Sequence, residues 1–360
     1  MSTRREFLSQ GTVATLSTVA TGRIAQALTK NGSPSSARTM KQYKIPRTDL
    51  TISRIAYGCA MLGLDWNSPD FVARTKPLIR TAYEQGINFF DLADVYGYGK
   101  AEVALGEVLR ESPHLRSNMV IQSKCGDTFA DGSSVNNSRV HIIESAEGSL
   151  KRLGTDHLDV LLLHWPDSLV EPEEVAEAFD QLRRSGKVRH FGVSNHGAAQ
   201  IELLRKYLPM PLVANQIQLG LAHWYVIPQG FKGALTHGTE GVTVLDYCLL
   251  SDIQVQAYSP LRADNILKSP NLLNPSPDAP PEVKRAAETL ASIATRRGAS
   301  TSAIMLAWLL RHPAQIVPII GATRPEHVVE SCGADSIELS RQEWYSLLEA
   351  AAGMQSSRVI

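Results

Sequence analysis

Tyr96 follows Asp91 by five positions, and Asp91 closes a short apolar run, Asn88-Phe-Phe-Asp91. An acid at the end of an apolar strand is costly to bury unless a partner uses it. Lys124 closes the run Met119–Lys124, and His164 closes Leu158–His164. Taken singly, each residue has an ordinary explanation. A strand-end Asp is a turn or helix cap, a Lys is solvated, a His is a satisfied core residue, and a Tyr beside glycines is a loop aromatic. Together the four types make an acid–base set. Reducing a carbonyl requires a hydride on carbon and a proton on oxygen. A tyrosine hydroxyl can give that proton, but its ordinary pKa of about 10 is too high for easy release. A neighbouring lysine cation stabilises the phenolate and lowers that value. An aspartate holds the lysine by charge-assisted hydrogen bonding. A histidine orients the substrate oxygen or helps move the proton. Tyr96 is on this reading the proton donor, with Lys124, Asp91 and His164 as its partners.

Such a set needs elements that bring distant residues to one place. Eight short apolar runs read as strands: Ile55–Gly58, Asn88–Asp91, Met119–Lys124, Leu158–His164, His190–Ser194, Val213–Gln216, Gln254–Tyr258 and Ile316–Ile319. Amphipathic helices alternate with them, and most end at a Gly or before a Pro, the expected stop signals. Eight strand–helix units predict an α/β fold, a closed (β/α)8 TIM barrel, more naturally than an open sheet. A short hairpin at Lys41–Thr51 precedes it, and an extra helix, Ser340–Ala352, ends it. That helix opens with the capping-box pair Ser340 and Glu343. Polar residues then stand at the C-terminal ends of successive strands: Asp91, Lys124, His164, Ser194-Asn195, Gln216 and Tyr258-Ser259. In a barrel these ends converge on one face, where barrel enzymes keep their chemistry. Trp66, Trp165 and Trp224 follow strands one, four and six and are candidates to wall a substrate pocket at that mouth. The long loop Arg262 to Pro280 is a candidate to lie over a ligand.

The chain of 360 residues is 43% hydrophobic and 20% charged, with 36 Lys+Arg against 36 Asp+Glu. This balance gives no electrostatic case for nucleic acid. Cys59, Cys125, Cys248 and Cys332 lie far apart with no Cys-x-x-Cys, which argues against a metal site or a disulfide framework and for buried free thiols. The N-terminus reads as a targeting segment. Arg4-Arg5 is followed by Phe7-Leu8, a mildly apolar run from Gly11 to Ala20, and a small-x-small site at Ala25-Gln-Ala27. Residues 1–27 are therefore expected to be a twin-arginine-type signal read by that export machinery, which would place the protein outside the cytoplasm. The alternative is a basic arm on a cytoplasmic protein. The run is too short for stable membrane insertion. Residues 28–40 read as a flexible linker and 41–360 as the barrel.

The motifs Asp91-x-Ala93-Asp94-x-Tyr96-Gly97, Ser123-Lys124, Leu163-His164 and Gly192-Val-Ser194-Asn195 resemble the catalytic pattern of the aldo-keto reductase superfamily, in order and spacing. The resemblance runs from about Tyr43 to the C-terminus. Lys124-Cys-Gly126, Asp156-His-Leu-Asp159, Ser185 to Asn195 and Pro318-Ile-Ile-Gly321 make it similar in particular to the bacterial YdhF-type oxidoreductases. The resemblance implies a nicotinamide cofactor, NADP (NADPH) rather than NAD, held in extended form without a Rossmann fold. By position, Ser194, Asn195 and Gln216 would hydrogen-bond its carboxamide and Tyr258 would stack on its ring. Ser259, Leu261 and Arg262 would approach the pyrophosphate. Gly321 to Arg324, with His327, would lie near the adenosine end, with Arg324 facing a 2′-phosphate. His327 and Ser331 stand where related sequences carry Gln or Arg, and Asn.

Two other readings compete. Gly97-Tyr-Gly99 after a strand suggests a dinucleotide loop, but Glu102 stands where the third glycine belongs. A barrel with this cofactor site could also serve as a non-catalytic regulatory or binding module, which the complete acid–base set argues against.

Overall fold

The computed structural model describes residues 39–60, 65–128, 135–227, 244–261 and 271–356. The expected signal over 1–27, all but the last two residues of the expected linker, Arg262 and the first half of the long loop lie outside the described residues. All elements below belong to the unit Arg38–Ile360.

Two strands, β1 (Gln42–Lys44) and β2 (Thr51–Ser53), form the expected hairpin, pairing antiparallel with Tyr43 opposite Ile52. Eight parallel strands follow: β3 (Ala56–Gly58), β4 (Phe89–Asp91), β5 (Val120–Cys125), β6 (Leu158–Leu163), β7 (Val188–Ser194), β8 (Leu212–Gln218), β9 (Gln254–Tyr258) and β10 (Val317–Ile320). They close in sequence order, with β10 pairing back to β3, so the predicted barrel is what the chain builds. Helices α1 (Phe71–Glu84), α2 (Lys100–Glu111), α3 (Arg139–Leu153), α4 (Pro172–Arg184), α5 (Ala198–Arg205), α6 (Val244–Leu250), α7 (Pro281–Arg297), α8 (Thr301–Leu310), α9 (Pro325–Cys332) and α10 (Arg341–Ser356) surround it. Helix α4 illustrates the packing rule. Val175, Ala178, Phe179 and Leu182 fall on one face at helical spacing and are buried. Phe179 stacks on Phe191 of β7 with centroids 4.1 Å apart.

Strand alternation sorts the residues into two cores. In β5, Ile121 and Cys125 join the outer core under the helices, whereas Val120 faces the barrel interior. The interior cluster contains Ala56, Phe89, Val120 and Val317, each the first residue of its strand, together with Ile45, Leu50 and Ile52 of the hairpin. The hairpin therefore plugs the end of the barrel where strands begin and leaves the other end for function. At the chain's far end, Trp308 of α8 stacks on Trp344 of α10 at 5.2 Å. Each indole N–H donates to the other's backbone carbonyl, at 3.2 and 2.9 Å, which docks the extra helix. The expected capping box is present: Ser340 N donates to Glu343 Oε2 at 2.8 Å and Glu343 N to Ser340 Oγ at 3.2 Å.

Candidate active site

Inward alternation decides which side chains reach the interior. Phe89 faces in and Phe90 out, so Asp91 faces in; Gln122 and Lys124 follow Val120 at the same period. Ser123 faces the other way and donates to Glu102 of α2 at 2.6 Å. Glu102 is fully buried and also pairs with Arg152 at 2.6 Å, so the residue that spoiled a dinucleotide fingerprint is a packing anchor for α2. Gly97, Tyr98 and Gly99 all adopt positive φ, at 59°, 56° and 82°. A Cβ on Gly99 would meet Arg152 Cδ at 2.7 Å. This left-handed turn ends the excursion after β4 and sets Tyr96 at the barrel mouth.

Lys124 organises the set. Its ammonium is fully buried and donates to Asp91 Oδ2 at 2.8 Å, Leu92 O at 2.8 Å and Tyr96 Oη at 3.0 Å. All three N–H donors are thereby used. Burial alone would pull Lys124 down, but the Asp91 carboxylate and then Tyr96 outweigh it and hold the ammonium above its ordinary value. The Tyr96 hydroxyl departs from the sequence expectation. Lys124 does lower its pKa, as expected, but burial is the larger influence and Asp91 opposes the lysine, so the net direction is up. Tyr96 thus carries its proton at neutral pH, with a partly exposed ring at the cavity wall. His164 is held down to about 3, by burial and then by the Lys124 cation, so its imidazole is neutral. That narrows its expected role from proton carrier to orienting group. Its ring meets Tyr96 edge-on at 5.8 Å and stacks on Trp165 at 5.9 Å, and its Nδ1 faces Asp127 Oδ2 at 3.6 Å.

A cavity of about 470 Å³ opens above this set. Of the residues expected from the sequence, Asp91, Tyr96, His164, Trp165, Ser194, Asn195, Gln216, Tyr258, Ser259, Leu261 and Gly321 line it. Lys124 lies behind Tyr96 without lining it. Asn195, at φ 62°, has its amide occupied: Nδ2 donates to His164 O and Ser194 Oγ, both at 3.1 Å, and Oδ1 accepts from Tyr258 Oη at 2.9 Å. The Ser194 hydroxyl donates to Gln216 O at 3.0 Å. Gln216 spends its Nε2 on Asp91 Oδ1 at 2.9 Å and Gln256 Oε1 at 3.0 Å, leaving its Oε1 as the acceptor for a cavity ligand.

Arg324, exposed, and His327, half-buried, stand apart at the start of α9, with Arg324 Nη2 and His327 Nε2 3.0 Å apart and Glu326 near the guanidinium at 3.6 Å. Two of the three tryptophans correct the expectation. Trp224 is 4% exposed in the outer core, on a 3-10 turn, Leu221–Val226, that packs against α10. Trp66 packs edge-on to Tyr98 at 6.2 Å and donates its indole N–H to Ala60 O at 3.0 Å. Neither lines the cavity among the described residues; apolar contact won over placement near the mouth. Sequence reasoning missed Gln122, Gln256 and Asp127. The signal for the two glutamines was period two, since each stands two residues before a predicted site residue, Lys124 and Tyr258.

The description of the aldo/keto reductase family matches residues 54–352. The chain is 36% identical over 313 residues to the uncharacterized oxidoreductase YcsN of Bacillus subtilis (strain 168), covering 85% of this chain and 96% of that one. It is 37% identical over 295 residues to the oxidoreductase YdhF of Escherichia coli (strain K12), covering 81% and 91%. The crystal structure of the thermostable aldo-keto reductase Tm1743 with the inhibitor epalrestat superposes with a TM-score of 0.70 at 28% identity, over 86% of this chain and all of that one. The barrel, the cluster of Asp91, Tyr96, Lys124 and His164 at its open mouth and these likenesses agree, and the chain belongs to the aldo/keto reductase family as an oxidoreductase.

Proposed function

We propose that the protein reduces an aldehyde or ketone to an alcohol with a reduced nicotinamide cofactor, and that Tyr96 gives the proton. The observation that carries this reading is the saturation of Lys124. Its third N–H donates to Tyr96 Oη at 3.0 Å, so the tyrosine oxygen is an acceptor on that side and its own proton is free to turn to the cavity. Lys124 also stabilises the phenolate left behind, and Asp91 keeps the ammonium aimed. The neutral imidazole of His164 orients the carbonyl oxygen, braced by Trp165. Leu261 and Ile319 on the cavity wall exclude water from the reacting centre.

The residues present suit the cofactor. Gln216 Oε1 offers an acceptor to a carboxamide and Tyr258 offers a ring face. When bound, the cofactor supplies hydride to the carbonyl carbon. Arg324 beside His327 favours NADP over NAD, because a guanidinium fits a 2′-phosphate.

The test uses purified chain, NADPH and a panel of aldehydes and ketones, following nicotinamide absorbance. Wild type is expected to oxidise NADPH, and Tyr96→Phe to lose roughly 10²- to 10⁴-fold of that rate while still binding NADPH. Binding without turnover in wild type, or full activity in Tyr96→Phe, would favour the non-catalytic module instead. Tighter binding of NADH than NADPH would reverse the cofactor assignment.

A further inference from the structure

Three glutamines meet inside the barrel at the level of Asp91. Gln122 pairs in register with Asp91 across β4 and β5, and Gln216 pairs with Gln256 across β8 and β9. Gln122 and Gln256 are fully buried and Gln216 is 2% exposed. Gln122 Nε2 donates to Asp91 Oδ1 and to Gln256 Oε1, both at 2.7 Å. Gln256 Nε2 returns a bond to Gln122 Oε1 at 2.9 Å. Gln216 Nε2 reaches the same two acceptors, Asp91 Oδ1 and Gln256 Oε1, at 2.9 and 3.0 Å.

The direction of every amide follows from one acceptor-only group. An amide nitrogen and oxygen have nearly the same shape, so only hydrogen-bond polarity distinguishes the two settings. The Asp91 carboxylate accepts from Lys124 on Oδ2 and forces the NH₂ ends of Gln122 and Gln216 toward Oδ1. Their second N–H groups then both require an acceptor, which fixes Gln256 with its Oε1 toward them. Its NH₂ consequently faces Gln122 Oε1. The acceptor left over is Gln216 Oε1, on a residue that lines the cavity.

We propose that Gln122 and Gln256, which stand behind Asp91 and Gln216 without lining the cavity themselves, are positioning residues that join the proton-donating set to the cofactor site. One network sets both the aim of Asp91 on Lys124 and the polarity of the group Gln216 offers a ligand. The inference rests on reading Tyr96 and Lys124 as the donor machinery of a reductase. In a buried network each member's setting depends on the others, so loss at Gln256 propagates to both ends.

The experiment compares wild type, Gln256→Met and Gln256→Glu. It reads kcat and KM against pH, the NADPH dissociation constant by equilibrium titration, and thermal unfolding. Gln256→Met keeps volume and removes the acceptor shared by Gln122 and Gln216. It is expected to lower kcat by roughly tenfold, short of the ~100-fold that a 1 Å misplacement can cost, and to weaken NADPH binding, with carbonyl KM unchanged. A protonated carboxyl has the donor and acceptor of an amide. Gln256→Glu should therefore match wild type at low pH and lose both properties as that carboxyl ionises, an ionisation absent from the wild-type profile. Folded Gln256→Met with wild-type kcat and NADPH affinity overturns the proposal. If Gln256→Met cannot be recovered folded, a Gln256→Glu pH profile superimposable on wild type overturns it equally. If wild type binds NADPH without turnover, the reductase reading fails, while the titration still decides whether Gln256 orients Gln216.

Discussion

Lys124→Met should expose how the fold and the chemistry share one residue. The substitution keeps a linear side chain and removes an ammonium that is fully buried and bonded to Asp91, Leu92 and Tyr96. Asp91, with a side chain 3% exposed, would keep its two amide donors on Oδ1 and lose the cation on Oδ2. Removing one partner of a buried ion pair costs about 3–5 kcal/mol, because the other charge stays buried without compensation. That lies below the total stability of a typical domain, about 5–15 kcal/mol, so the variant should still fold. The lysine's folded-state pKa is raised, so its contribution is complete below 10.5 and fades only as pH climbs through the folded value. At neutral pH the full loss should appear in urea unfolding followed by circular dichroism. Lys187→Met is the control. Lys187 pairs with Glu147 at 2.6 Å but with side chains 39% and 48% exposed, and should cost less than about 1 kcal/mol. In turnover, Lys124→Met removes the main influence that lowers the Tyr96 hydroxyl. The rate should fall by roughly 10²-fold or more, the scale of a lost general acid. Stability within about 1 kcal/mol of wild type, as expected for the surface pair, would refute the burial argument. A wild-type rate would refute the acid–base argument.

Two further outcomes are expected. Asp94 is raised to about 7 by burial and then by neighbouring Glu102. An acid whose folded value stands above its unfolded 3.8 loses the protein stability as pH rises from there to about 7, so Asp94→Asn should raise the urea midpoint above pH 7 and not near pH 4. The gain at high pH should approach roughly 4 kcal/mol at most, at about 1.4 kcal/mol per pKa unit, and a pH-independent gain would contradict it. We also propose export, from Arg4-Arg5 and the apolar run behind it. A tagged chain should appear outside the cytoplasm and Arg4-Arg5→Lys-Lys should be retained; equal distribution of the two would remove the proposal.

The barrel was legible because its determinants are local. Each of the eight strands fell within a few residues of its expected place, since apolar runs, Gly and Pro stops and β-α spacing are properties of neighbouring residues. Asp91, Lys124 and His164 were legible for a related reason, because strand ends in a barrel converge wherever they occur in the chain. The 3-10 turn that carries the buried Trp224 and packs against α10 was not legible, because nothing near Leu221–Val226 encodes the helix the turn meets.

By itself the sequence determined the fold class, the order of the strands and the residue types at the mouth, through patterning that acts over a few positions. Tertiary structure alone decided the protonation chemistry and the inner network. Whether Lys124 or burial governs Tyr96 depends on how many atoms surround the hydroxyl, and here burial is the larger influence. Gln122 and Gln256 are 134 positions apart and meet only when the barrel closes. The direction of their amides follows from a single carboxylate that no local pattern connects to either.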